Sequence, residues 1–186
     1  MTAITSLGGL PAHPLFAHIP VVLIPLGAIG AVAMCWPRVR SAIGWWVVGI
    51  VLVAGVACQL TIGSGEGLER YVRETDLVER HAEMGESIRP WVLLMFLALL
   101  AVMVVGVLVR RRPESAAALG RVGLGLMVAA LLLSAGATVA VFRIGHSGAQ
   151  AAWDDTSKRI EQGRPLEGGE GSEGGERYEQ GEQNER

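Results

Sequence analysis

Residues 91–109 read Trp-Val-Leu-Leu-Met-Phe-Leu-Ala-Leu-Leu-Ala-Val-Met-Val-Val-Gly-Val-Leu-Val, with no charged side chain among them. At ~1.5 Å of helical rise per residue, a run of this length measures close to the ~30 Å thickness of a bilayer's hydrocarbon core. Three more runs lack Asp, Glu, Lys and Arg: Leu15 to Trp36, Ala42 to Ile62 and Val122 to Phe142, of 22, 21 and 21 residues. None alternates apolar with polar residues as a barrel strand must, so each is read as a helix, which satisfies every backbone N–H within the segment. The composition agrees. The 186 residues are 51% hydrophobic and only 18% charged, where water-soluble domains carry about a quarter charged. Soluble Rossmann, barrel and sandwich folds are excluded, and the expected fold is an all-α integral membrane four-helix bundle.

Outside the spans the charges are segregated. The first 65 residues hold no acid and the last 40 hold ten. Arg38 and Arg40 lie in the first link, and Arg110, Arg111, Arg112 and Arg121 in the last, whereas the long middle link sets Arg70, Arg73, Arg80 and Arg89 against seven acids. Arginine excess marks the cytoplasmic side. The sequence therefore predicts a multi-pass protein of the cell's inner (plasma) membrane with both termini and the long link outside. The leader, residues 1–14, has no basic residue and is not expected to be a cleaved signal.

Within the spans, small residues are expected at the helix seams, because lipid removes the hydrophobic drive for helix association and leaves close backbone approach. Gly27, Gly30 and Ala31, then Gly49, Ala54 and Gly55, then Gly123, Ala130 and Gly136 supply it. Pro20 and Pro25 are expected to kink the first helix. Trp36, Trp45, Trp46 and Trp91 sit near span ends, where interfacial anchors belong. Cys35 and Cys58 differ by ~20 Å in depth, so no bridge between them is expected.

In the long link, Asp76 and Glu79 make a helix-start signal, and Leu77, His81, Met84 and Ile88 then fall on one stripe. An amphipathic outer helix before the third span is expected, with Pro90 breaking or bending the join. Leu68, Tyr71, Val72 and Thr75 suggest another amphipathic turn upstream. The C-terminal segment, 147–186, is read as a disordered acidic tail, since from Gln162 onward Glu recurs at every third position among glycines with no apolar stripe.

All four histidines fall on the predicted outer side. His13 precedes the first span, His18 lies about a turn inside it, His81 rides the outer helix and His146 follows the fourth span. Neutral imidazole ligates haem iron, zinc or copper, and it also passes protons near neutral pH. Two imidazoles from different helices could hold haem b axially, and the residues also allow plain hydrogen bonding to the backbone. His13 and His18, five apart, point ~140° from each other on a helix and are not a ready pair.

The segment Leu10-Pro11-Ala12-His13-Pro14-Leu15-Phe16-Ala17-His18-Ile19-Pro20 resembles the opening of the bacterial membrane proteins grouped as Domain of Unknown Function 2231, in which a His-Pro pair and a second His and Pro begin the first of four helices. His13, Pro14, His18 and Pro20 match that pattern, and His81-Ala82-Glu83-Met84-Gly85 matches more loosely. Ala17 and Ile19 stand where Val and Phe flank the second His, and the first helix lacks an acid in its inner part. The resemblance runs from about Leu10 to His146. Relatives joined to Rieske-type or cytochrome-c-like domains imply membrane redox work.

Three functions follow. The first is a haem b-binding or redox-associated membrane subunit, ligated by His18 with His81 or His146, His13 being a supporting or alternative ligand. The second is a non-catalytic accessory or scaffold protein whose outer helix and tail meet a partner. The third is an outer-face zinc or copper site at His18 and His81. Expected partners are the lipid bilayer and either a redox protein or further copies of the chain. No charge lies within a span to suggest transport. Hydrolase and phosphate-transfer motifs are missing, as is a basic nucleic-acid face, so the reading leans away from an enzyme and excludes nucleic acid.

Overall fold

The computed structural model describes residues 5–163. A two-residue hairpin, β1 (Ser6–Leu7) and β2 (Leu10–Pro11), opens the chain. Its turn is Gly8-Gly9, both at positive φ, which only glycine adopts freely and which matches the twist of a two-residue hairpin. The Ala12 amide then donates to the Thr5 carbonyl at 3.0 Å, fixing the hairpin to the first helix.

Four long helices follow, all apolar and long enough to cross a membrane. They are α1 (Ala12–Ala33), α2 (Pro37–Glu69), α4 (Ile88–Arg111) and α5 (Ala116–Glu161), with the short α3 (Asp76–Glu86) before α4 and a 3-10 turn, Pro113–Ser115, before α5. α2, α4 and α5 outrun their apolar segments at both ends, because charged residues beyond the hydrocarbon core are no obstacle to helical hydrogen bonding, whereas α1 begins three residues before its apolar run and ends three before that run closes. Residues 147–161, expected to begin the tail, are thus the end of α5. The part of the tail from 164 to 186 lies outside the described residues. Beyond Ala151 the chain forms a unit of its own, in which Lys158 pairs with Asp154 at 2.6 Å.

α1 continues through both Pro20 and Pro25 without interruption. The break expected at Pro90 falls three residues earlier, at Ser87. Proline has no N–H for the carbonyl four residues back, Glu86, so α3 ends there and Pro90 becomes the third residue of α4, where no intrahelical donor is needed. α3 is capped one residue before the predicted signal: the Thr75 hydroxyl accepts from the Val78 amide at 3.3 Å. The extra amphipathic turn upstream does not form. Leu68 belongs to α2, while Tyr71 and Val72 are exposed in the connection.

The buried positions of the spans recur by threes and fours. Pro20, Ile24, Gly27 and Ala31 do so in α1, Ile88, Val92, Met95, Leu99 and Val102 in α4, and Met127, Ala130, Ser134, Ala137 and Val141 in α5. That spacing is the ridge-and-groove pattern of nearly parallel helices in a bundle. Glycine brings the backbones close: a Cβ on Gly27 would meet Val51 at 2.6 Å, and one on Gly30 would meet Val47 at 2.7 Å. Gly136 carries Trp91 of α4 directly on its backbone. Gly49 departs from expectation, facing open space rather than a seam. Hydroxyls in the spans bond back to their own helices, Ser134 to Ala130 O at 2.6 Å and Thr138 to Ser134 O at 2.8 Å, which satisfies those donors within the segment.

The outside of the bundle is as apolar as its core. Ile29, Leu132 and Phe142 are 67%, 68% and 70% exposed, an arrangement that water would penalise and lipid would not. Trp36, Trp45, Trp46 and Trp91 all reach this outer surface. Both cysteines are free thiols, Cys35 exposed and Cys58 buried.

Candidate functional site

Two of the four histidines meet. His13, on the first turn of α1, and His81, on the inward stripe of α3, have ring centroids 6.0 Å apart with planes inclined at 85°. Both are half-buried, whereas His18 and His146 are exposed. The pairing expected from sequence, His18 with His81 or His146, is therefore not the one the fold makes. The ~140° between His13 and His18 turns His13 into the bundle and His18 out of it. His18 Nδ1 instead donates to the Pro14 carbonyl on its own helix at 2.5 Å, a carbonyl that none of the helix prolines frees.

Each paired imidazole rests on a Ser-Gly step of a neighbouring helix. On α2, the Ser64 hydroxyl donates to Thr61 O at 2.8 Å, and Gly65 lies one turn beyond that carbonyl. The missing side chain opens the carbonyl sideways, and His13 Nδ1 reaches Thr61 O at 2.9 Å. A Cβ on Gly65 would stand 2.9 Å from that same Nδ1. On α5 the device repeats. Ser147 donates to Ile144 O at 2.9 Å, His81 Nδ1 lies 3.0 Å from Ser147 Oγ, and a Cβ on Gly148 would stand 2.9 Å from His81 Cε1. Ser64 and Ser147 are buried, at 2% and 7% exposure.

These bonds decide where the protons sit. A carbonyl only accepts, so Nδ1 of His13 is the protonated nitrogen. The one proton of Ser147 goes to Ile144 O, so His81 Nδ1 must donate to the serine oxygen. In the neutral rings both Nε2 atoms then carry free lone pairs, the form in which metal-binding imidazoles are held when the other nitrogen is anchored to the protein. Burial first, and the neighbouring His13 second, hold the His81 imidazole below its ordinary 6.5, against a pull upward from the Ile144 backbone. α3 lies outside the apolar run 91–109, so this ring is within reach of water.

Arg89 at the start of α4 reaches Glu66 at 3.6 Å and Glu86 at 3.8 Å, joining the ends of α2, α3 and α4. Among the described residues no group of three or more His, Cys, Asp or Glu side chains stands together. Sequence reading missed Thr61, Ser64, Gly65, Ser147 and Gly148. The only available signal was the recurrence of Ser-Gly near the ends of two spans, which acquires meaning once two rings are seen to rest on it.

The geometry defines a class: an integral membrane helix bundle with an imidazole pair near one end. Residues 9–159 match the family model described as "Predicted membrane protein (DUF2231)". The chain belongs to that family, and the resemblance noted at His13 to Pro20 is thereby upheld. No curated protein and no solved structure matches it.

Proposed function

We propose that this membrane protein carries a redox metal centre, haem b in the first reading, on Nε2 of His13 and Nε2 of His81. The observation that carries the reading is the pair itself: two imidazoles on separate helices, both anchored through Nδ1. Two ligands at about 2.0–2.1 Å from a metal place their ring centroids roughly 5–6.5 Å apart, depending on the angle at the metal. The observed 6.0 Å lies in that range. A donor set of two is complete for haem iron, which needs only axial ligands from protein, and for a soft copper ion, but incomplete for zinc, which takes three or four. Haem would supply one-electron chemistry. The protein would hold it, set its potential through the Thr61 and Ser147 bonds, and limit water by burial.

This reading moves the ligand role from His18 and His146 to His13, with His81 kept. His18, exposed on α1, and His146, exposed on α5, are left for a partner surface. It takes the histidine mouth as the outer face of the plasma membrane, where a redox partner protein or a second copy of the chain would dock. Arginine asymmetry supports that orientation.

The test is an absorption spectrum with metal analysis of protein purified from haem-replete cells. A Soret band near ~410 nm, or stoichiometric copper, is expected in the native chain and in His18→Ala and His146→Ala, and is lost in His13→Ala and His81→Ala. Colourless, metal-free protein contradicts the proposal, as does full retention in the His81→Ala variant.

A further inference from the structure

At the opposite end of the bundle a cleft opens between α2 and α4, lined among others by Arg40, Ser41 and Trp45 from one helix and Met103, Gly106 and Arg110 from the other. Its depth is set by sequence. Arg40 and Ser41 immediately precede the apolar run 42–62, and Arg110 immediately follows 91–109, so the cleft lies at the level of lipid headgroups. Arg40 is half-buried and Arg110 exposed, and among the described residues neither takes part in an ion pair. Gly106 faces open space and leaves the floor of the cleft unfilled. The Ser41 hydroxyl already donates to Arg38 O at 2.8 Å, so the free donors here are the two guanidinium forks. Trp45, 53% exposed, forms an amphipathic wall. The positive end of α2 also lies here, with no side chain capping it at Trp36.

We propose that this cleft binds the phosphate of an anionic phospholipid, with the guanidinium groups of Arg40 and Arg110 as its donors. Guanidinium forks match phosphate oxygens two at a time, and basic recesses between membrane helices at the headgroup level suit such lipids. The acyl chains would continue along the exposed apolar surface of Trp45, Leu52 and Val56 on α2, which share one face of that helix with the cleft. A free phosphate ion would satisfy the same donors, but only a lipid also uses that surface, which begins where the arginines end.

The experiment uses the full chain in nanodiscs of phosphatidylcholine with increasing phosphatidylglycerol, counting retained lipid by native mass spectrometry. The native chain should keep one phosphatidylglycerol in preference to phosphatidylcholine. At about fivefold per arginine, Arg40→Gln with Arg110→Gln should weaken retention about 25-fold. Arg111→Gln with Arg112→Gln removes equal charge from the same end and should leave retention within about twofold, since generic surface attraction is not the basis of the site. A photoreactive phosphatidylglycerol should label residues 40–45 and 102–110 of the native chain, a readout that does not depend on the variants folding. Equal loss in both double variants, labelling elsewhere, or equal retention of phosphatidylcholine overturns the proposal. Displacement of the lipid by millimolar inorganic phosphate would make this a free-anion site and overturn it likewise.

Discussion

Gly65 and Gly148 matter through what they lack. Each leaves room for an imidazole edge against helix backbone, and each would place a Cβ 2.9 Å from a ring atom. Those rings are pinned through Nδ1 and cannot swing aside without losing a hydrogen bond. Gly65→Ala and Gly148→Ala are thus expected to displace His13 and His81 respectively, at a cost of about 1–3 kcal/mol each. Denaturant melts in detergent will read the cost, and loss of the bound centre will read the displacement. A bundle of unchanged stability carrying Gly148→Ala would show that the ring does not rest there. His81 adds a pH dependence. With its folded value held below the ordinary 6.5, the unfolded state binds more protons between the two values, so stability rises with pH there. Docking of α3 should weaken as pH falls through about 6.5 and level off once the folded ring protonates. Hydrogen exchange of α3 amides across that range will show it, and His81→Asn should flatten the profile.

Among the elements, α3 depends most on a few contacts. It has no fully buried residue of its own, and Thr75, His81 and the Arg89 ion pairs tie it down. Thr75→Ala removes the cap and should cost about 1 kcal/mol, seen as faster exchange confined to α3 while amides of α4 stay protected. The stripe Leu77, His81, Met84 and Ile88 was legible because a 3.6-residue period is written in one segment. The cap and the break were legible only to within a few residues, since Asp76 and Thr75 are both good caps and a proline acts on the carbonyl four residues behind it. The Gly8-Gly9 hairpin carried a strong turn signal, but two-residue strands show no alternation to flank it.

At the scale of the molecule, the four spans were readable because the absence of charge over some twenty residues is a physical requirement of hydrocarbon. Their full lengths were not, because nothing in the charged flanks of α2 or α5 stops a helix. Which histidines meet was also hidden: His13 and His81 are brought together by the packing of α1, α2, α3 and α5, and periodicity within one helix says nothing about that. Orientation rests on arginine placement. A reporter joined after residue 163 should be active only outside the cell membrane, one joined after Arg112 only inside, and the opposite pattern would invert the topology.

Direct proximity of positions 13 and 81 is what everything at the site requires. In a chain with Cys35 and Cys58 replaced by Ser, cysteine pairs placed at 13 and 81, and separately at 18 and 81, can be treated in membranes with a short thiol cross-linker. The 13/81 pair should cross-link efficiently within one chain and the 18/81 pair should not. Cross-linking of 18/81 with none at 13/81 would contradict the account.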